Sequence, residues 1–211
     1  MVETSYDQLH DLIAKGLAAR QYAWEHYEEL ASREAVYTLY GPHSCFLGAV
    51  SPCTSTRKAD RKLLKKTRRQ SYNVYELDAD FRVIRVHGIV KQQHDGVRHI
   101  FELNGVTYGC SFRKDCKKFH DQRTLAIKYQ DSKPVYYAST TESYIICEFY
   151  EYPEEGKRLC TSFMYSKNCV NNYLGLVPDF DAPLGTPGSP VTKSYCEDVP
   201  PDLDFSKYFM E

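Results

Sequence analysis

A chain of 211 residues, 42% hydrophobic and 26% charged, is long enough to bury a sizeable core and has an ordinary globular composition. Its formal net charge of −1 argues against a surface tuned as a whole to nucleic acid or anionic membrane. Eight cysteines, about 4% of the residues, fall below the roughly 8–10% of disulfide scaffolds. The first 15 residues carry Glu3, Asp7, His10 and Asp11 where an export signal needs an uninterrupted apolar stretch. No apolar run approaches the roughly 20 residues that span a bilayer. A cytoplasmic protein with reduced thiols and no membrane partner is therefore expected.

The chain begins with a predicted helix over residues 5–33. Ser5 and Gln8 fit a capping box, and Leu9, Ile13, Leu17, Trp24, Tyr27 and Leu30 recur at roughly the spacing of one helical face. Gly16 weakens this helix and is a place for it to bend or split. Residues Ala35 to Val50 suggest two strands around the turn dipeptide Gly41-Pro42.

The character changes at about residue 57. Arg57, Lys58, Arg61, Lys62, Lys65, Lys66, Arg68 and Arg69 set eight cations against one acid, Asp60. Read as a helix over about 57–69, this element has a narrow apolar stripe, Leu63 and Leu64, and a broad basic face. These eight residues are the candidate partner-binding site.

A strand region follows from 72 to 166. Tyr72 to Leu77 leads into Asp78-Ala79-Asp80, Phe81 to Val90 leads out, and Asp95-Gly96 suggests a second loop. Arg98 to Leu103, Asn104-Gly105 and Val106 to Phe112 predict a two-residue type I′ hairpin, because both turn residues must take positive φ. That turn predicts Leu103 opposite Val106, Phe101 opposite Tyr108 and His99 opposite Cys110. Strands at Thr124 to Tyr129, Pro134 to Ser139, Ser143 to Glu151 and Arg158 to Ser166 complete an antiparallel meander. The expected fold class is α+β, a meander sheet packed by the N-terminal helix, as one domain over 1–170.

Residues 171–211 are expected to be an extended, acidic, Pro-rich tail. Six of ten prolines lie in the last 34 residues, and from Asp179 seven acids face Lys193 and Lys207. Phe180, Tyr195, Phe205, Tyr208 and Phe209 suggest that it docks, on its own domain or on a partner.

No catalytic signature stands out. There is no G-x-S-x-G, Walker loop or G-x-G-x-x-G. His43 and Cys45 lie two apart, a poor arrangement for activating a thiol. Glu76, Glu102 and Glu148 form no recognisable pair and suit solvent-facing strand positions. His99 and Cys110, with Cys116 and His120 downstream, converge on a metal only if the chain folds back after Phe112. The alternative is that His99 and Cys110 are ordinary sheet residues. No catalytic residue, metal or cofactor is expected.

Tyr75-Glu76-Leu77-Asp78-Ala79-Asp80-Phe81-Arg82-Val83-Ile84, His99 to Tyr108 and Cys147-Glu148-Phe149-Tyr150-Glu151-Tyr152 give this region its style. It resembles small bacterial immunity proteins, Tyr-rich meanders with acidic turns that neutralise toxins by binding them. The resemblance covers about half the chain, leaves out the basic stretch and assigns no binding residue. It implies a non-catalytic protein-binding module, an inhibitor that occludes a toxin or other effector. The alternative expectation is a nucleic-acid-binding, nuclease-related protein whose phosphate contacts are Arg57 to Arg69.

Overall fold

The computed structural model describes residues 6–42, 63–113, 116–131, 133–141, 144–166, 191–198 and 205–209. It has the α+β architecture that the patterning predicts, antiparallel meanders with an N-terminal helix packed on a sheet. The chain divides into two compact units, residues 1–20 with 123–199 and residues 21–122 with 200–211. No helix among the described residues is long and apolar enough to cross a membrane.

The N-terminal segment forms two helices, α1 (Tyr6–Glu25) and α2 (Tyr27–Ser32). The break falls at His26 rather than at Gly16. The expected apolar stripe is also rotated. Leu17 and Trp24 are exposed, while Leu9, Leu12, Ile13, Ala19, Ala23, Tyr27 and Leu30 are buried. Small residues occupy the buried face of α1 because the helix lies very close to a strand. A Cβ on Gly16 would sit 2.0 Å from Thr140 Oγ1.

Gly16→Ala is therefore expected to destabilise the protein by about 1–2 kcal/mol, since overpacking outweighs the gain in helix propensity. Urea unfolding of Gly16→Ala beside the double variant with Thr140→Ala checks this. The second change, which removes the clashing hydroxyl, should recover most of the loss.

In the first unit, β6 (Phe119–Gln130, which enters it at Arg123), β7 (Lys133–Thr140), β8 (Tyr144–Glu151), β9 (Lys157–Ser166) and β10 (Val191–Asp198) follow in sequence order. Each pairs antiparallel with the next. Part of the expected tail is thus a strand, with Glu197 and Asp198 in register opposite Arg158 and Lys157.

In the second unit, β1 (Tyr37–Pro42), β2 (Tyr72–Leu77), β3 (Val83–Val90), β4 (Gln93–Leu103) and β5 (Val106–Arg113) form the other meander. Gly41 and Pro42 lie inside β1, opposite Asn73 and Tyr72, instead of forming a turn. The Asn104-Gly105 hairpin has the expected register: Leu103 opposite Val106, Phe101 opposite Tyr108 and His99 opposite Cys110. Its turn residues have φ of 53° and 70°, the type I′ signature.

The Asp95-Gly96 dipeptide does not make a loop. The turn lies earlier, at Lys91 and Gln92, both with positive φ. Gly88 pairs Gly96 while Ile89 pairs His94, so Asp95 is the extra residue of a β-bulge inside β4.

On one face of this meander, Tyr27 from α2 packs against His99 and Phe112, with centroids 5.7 and 4.9 Å away. The ring of Phe119 also packs on Phe112, 4.6 Å between centroids. Arg85 donates from Nη1 to the carbonyl of Ala31 at 2.6 Å, and Arg33 donates to Ile100 O at 2.6 Å. A cation at the last carbonyls of α2 satisfies acceptors that the helix cannot satisfy itself. From the tail, Phe209 packs at a tilt on Tyr37 and stacks on Phe81, with centroids 4.6 and 6.0 Å away.

Candidate functional site

Two features of the second unit concentrate charge. The first is the described part of the basic stretch. Residues 63–69 are not helical; Leu64 forms an isolated antiparallel bridge to Tyr40 of β1. The reason is visible in the apolar pair. Leu63 turns inward and is 4% exposed, while Leu64 uses its backbone to extend the sheet edge. Strand-like pairing at that edge competes with helix formation, and propensity yields to it.

Both ends of the described part, residues 63–71, are tied down. Tyr40 and Leu64 exchange two backbone hydrogen bonds of 2.8 Å. At the other end, Gln92 N donates to Gln70 O at 2.8 Å, and Lys91 N donates to Ser71 Oγ at 3.0 Å. Between these anchors Lys65, Lys66, Arg68 and Arg69 are all exposed. Tyr40 and Tyr72 lie beside them as an edge-to-face pair, 5.9 Å between centroids. Arg57, Lys58, Arg61 and Lys62 lie outside the described residues, as does the His43–Cys45 pair.

The second feature is a chain of side chains across β2, β3 and β4. Glu76 accepts a hydrogen bond from Arg85 Nε and lies 3.2 Å from His87 Nε2 through its other oxygen. His87 Nδ1 in turn lies 2.9 Å from His94 Nε2, with the rings 72° apart. The His87 imidazole first, and the Arg85 guanidinium after it, hold the Glu76 carboxyl down at about 2 against the opposing effect of burial. Glu76 is thus no solvent-facing strand carboxylate. Glu148 likewise accepts a hydrogen bond from the Tyr150 hydroxyl, whereas Glu102 is exposed and bonded to Thr107.

Sequence reasoning missed this chain because its members are 9, 11 and 18 residues from Glu76 along the polypeptide. One usable signal was present. Arg85 and His87 share a strand face, and β3 is the neighbour of β2 in a hairpin. His94 was harder to place, because strict alternation puts it on the opposite face. The bulge at Asp95 shifts the phase and brings it beside His87.

His99 and Cys110 are paired as expected and buried, 2% and 1% exposed, whereas Cys116 is exposed. Among the described residues no group of three or more His, Cys, Asp and Glu side chains encloses a metal ion. Burial, with Glu148 beside it, pushes the Cys147 thiol up to about 12, which keeps it protonated and unreactive.

Compared with protein families, curated proteins and solved structures, the chain has no match. The resemblance to immunity proteins therefore rests on the quoted segments alone.

Proposed function

We propose that this chain is a non-catalytic protein-binding module that docks Lys65, Lys66, Arg68 and Arg69 against an acidic surface of a partner protein and occludes it. The observation that carries this reading is the anchoring of the described part of the basic stretch, at Leu64 and at Gln70 and Ser71, with Lys65, Lys66, Arg68 and Arg69 left exposed between. A strip already ordered before binding loses less conformational entropy on association. Its concentrated positive field also speeds encounter with an acidic patch. In the described parts of the tail, β10 pairs with β9 and Phe209 packs on Tyr37 and Phe81. In its finer form the reading is an inhibitor or immunity-type protein acting on a toxin or other effector.

A second reading, single-stranded nucleic acid, draws on the Tyr40–Tyr72 pair, because aromatic faces beside cations suit stacked bases and phosphates. Affinity capture from an extract of the source cells separates the two. The intact chain is expected to retain one protein near 1:1 stoichiometry. Changing Lys65, Lys66, Arg68 and Arg69 together to Ala should weaken that retention at least tenfold. Retention of bulk nucleic acid alone, released by moderate salt, would replace the proposal with the second reading.

A further inference from the structure

The chain from Glu76 to His94 has a consequence independent of the basic strip. Glu76 Oε1 lies 3.2 Å from Nε2 of His87, and a carboxylate at that distance favours the proton on that nitrogen. The lone pair of His87 is then on Nδ1, the atom that faces His94 Nε2 at 2.9 Å. A carboxylate on the far nitrogen of an imidazole is the usual outer-shell support of a metal-binding histidine, fixing its tautomer and ring orientation.

Distances agree with this. Two imidazole nitrogens bound to one tetrahedral ion, each about 2.0–2.1 Å from it, stand about 3.3 Å apart. The two rings need to separate by only a few tenths of an ångström. The His87 side chain is 22% exposed, so water can fill the remaining positions. The backbone supports the pairing as well. The Asp95 bulge brings His94 to the face of His87, and the tight turn at Lys91 and Gln92 holds the two strand ends together. Bulges that re-aim a side chain recur beside functional sites.

The geometry points to a two-imidazole site for a divalent transition-metal ion, zinc or copper(II), bound by His87 Nδ1 and His94 Nε2 with Glu76 as the supporting carboxylate. No third His, Cys, Asp or Glu among the described residues closes the set. The ion is therefore exchangeable and keeps water as co-ligand, unlike a four-ligand structural zinc. Imidazole ligands suit both ions, with copper(II) the tighter of the two.

Calorimetric titration of the intact, metal-free protein with zinc chloride and with copper(II) chloride at neutral pH tests the assignment. NMR of the histidine ring protons reports which imidazoles respond. One ion per chain is expected, with the rings of His87 and His94 shifted and those of the other histidines unmoved. His94→Gln should weaken binding at least tenfold. Glu76→Gln should weaken it about 10–100-fold with the stoichiometry kept. His94→Gln changes a residue near the end of a hairpin, so it serves as the readout even where His87→Gln fails to fold. Absence of binding, or an affinity unchanged in His94→Gln, would overturn the site and leave a pair of rings that only share a proton.

Discussion

Phe112→Ala is expected to lower the stability of the protein by about 3–5 kcal/mol, the range for removing a fully buried aromatic ring. Phe112 is 0% exposed and stands at the centre of a cluster in which Tyr27, His99 and Phe119 approach its ring within 5.5 Å. These partners come from α2, β4 and β6, so the cavity loosens three elements together. Phe112→Leu keeps most of the volume and should cost less than half as much, since shape-tolerant swaps are the mildest core changes. Urea midpoints of the two variants, compared with the parent, measure both effects. Equal, small losses would mean that Phe112 does not organise this layer.

The second large effect is acid-linked. His99 is 2% exposed, edge-on to Tyr27 and Phe112. Burial first, then the charge of Arg85 and the proximity of His87, pushes its pKa down from 6.5 to about 4, with the Leu30 carbonyl opposing. The unfolded chain therefore takes up a proton at a pH where the folded chain does not. Stability contributed by neutral His99 is complete above about 6.5, falls as the pH drops towards 4, and levels off below. Over that window the loss is about 3 kcal/mol.

Glu76 has the opposite sign and a separate window. Its stabilisation is present above 4.5 and is lost as the pH falls towards about 2. Unfolding free energies measured from pH 7.5 to 4.5 in the parent and in His99→Gln isolate the histidine. The parent should show a steep fall that the variant lacks.

The contrast between two dipeptides explains what could be read from the residues alone. Asn104-Gly105 specified its hairpin because both residues tolerate positive φ and the flanking runs are apolar, so local chemistry and pairing agree. Asp95-Gly96 carries the same kind of signal, yet it sits inside β4 as a bulge while Lys91 and Gln92 take the strained turn. There the pairing of His87 with Val97 and of Ile89 with His94 overrides local preference.

The helix shows a similar limit. A stripe drawn through large apolar residues selected Leu17 and Trp24, whereas close approach to Thr140 requires Gly16 and small neighbours on the buried face. The cations of the basic stretch were legible by composition. Their extended presentation was not, because it depends on Leu64 pairing with Tyr40, 24 residues earlier. The chain from Glu76 to His94 depends on the registers of two hairpins and one bulge, which no single window of residues contains.

Site-specific photocrosslinking tests the central claim most directly. A photoreactive residue placed at position 66, between the two anchors of the basic strip, is compared with one at position 155, an exposed turn residue of the other unit. In extract from the source cells, position 66 is expected to form one discrete protein adduct that high salt suppresses and that position 155 does not form. Nucleic-acid adducts alone at position 66, or the same protein adducts from both positions, would contradict a protein-docking role for this strip.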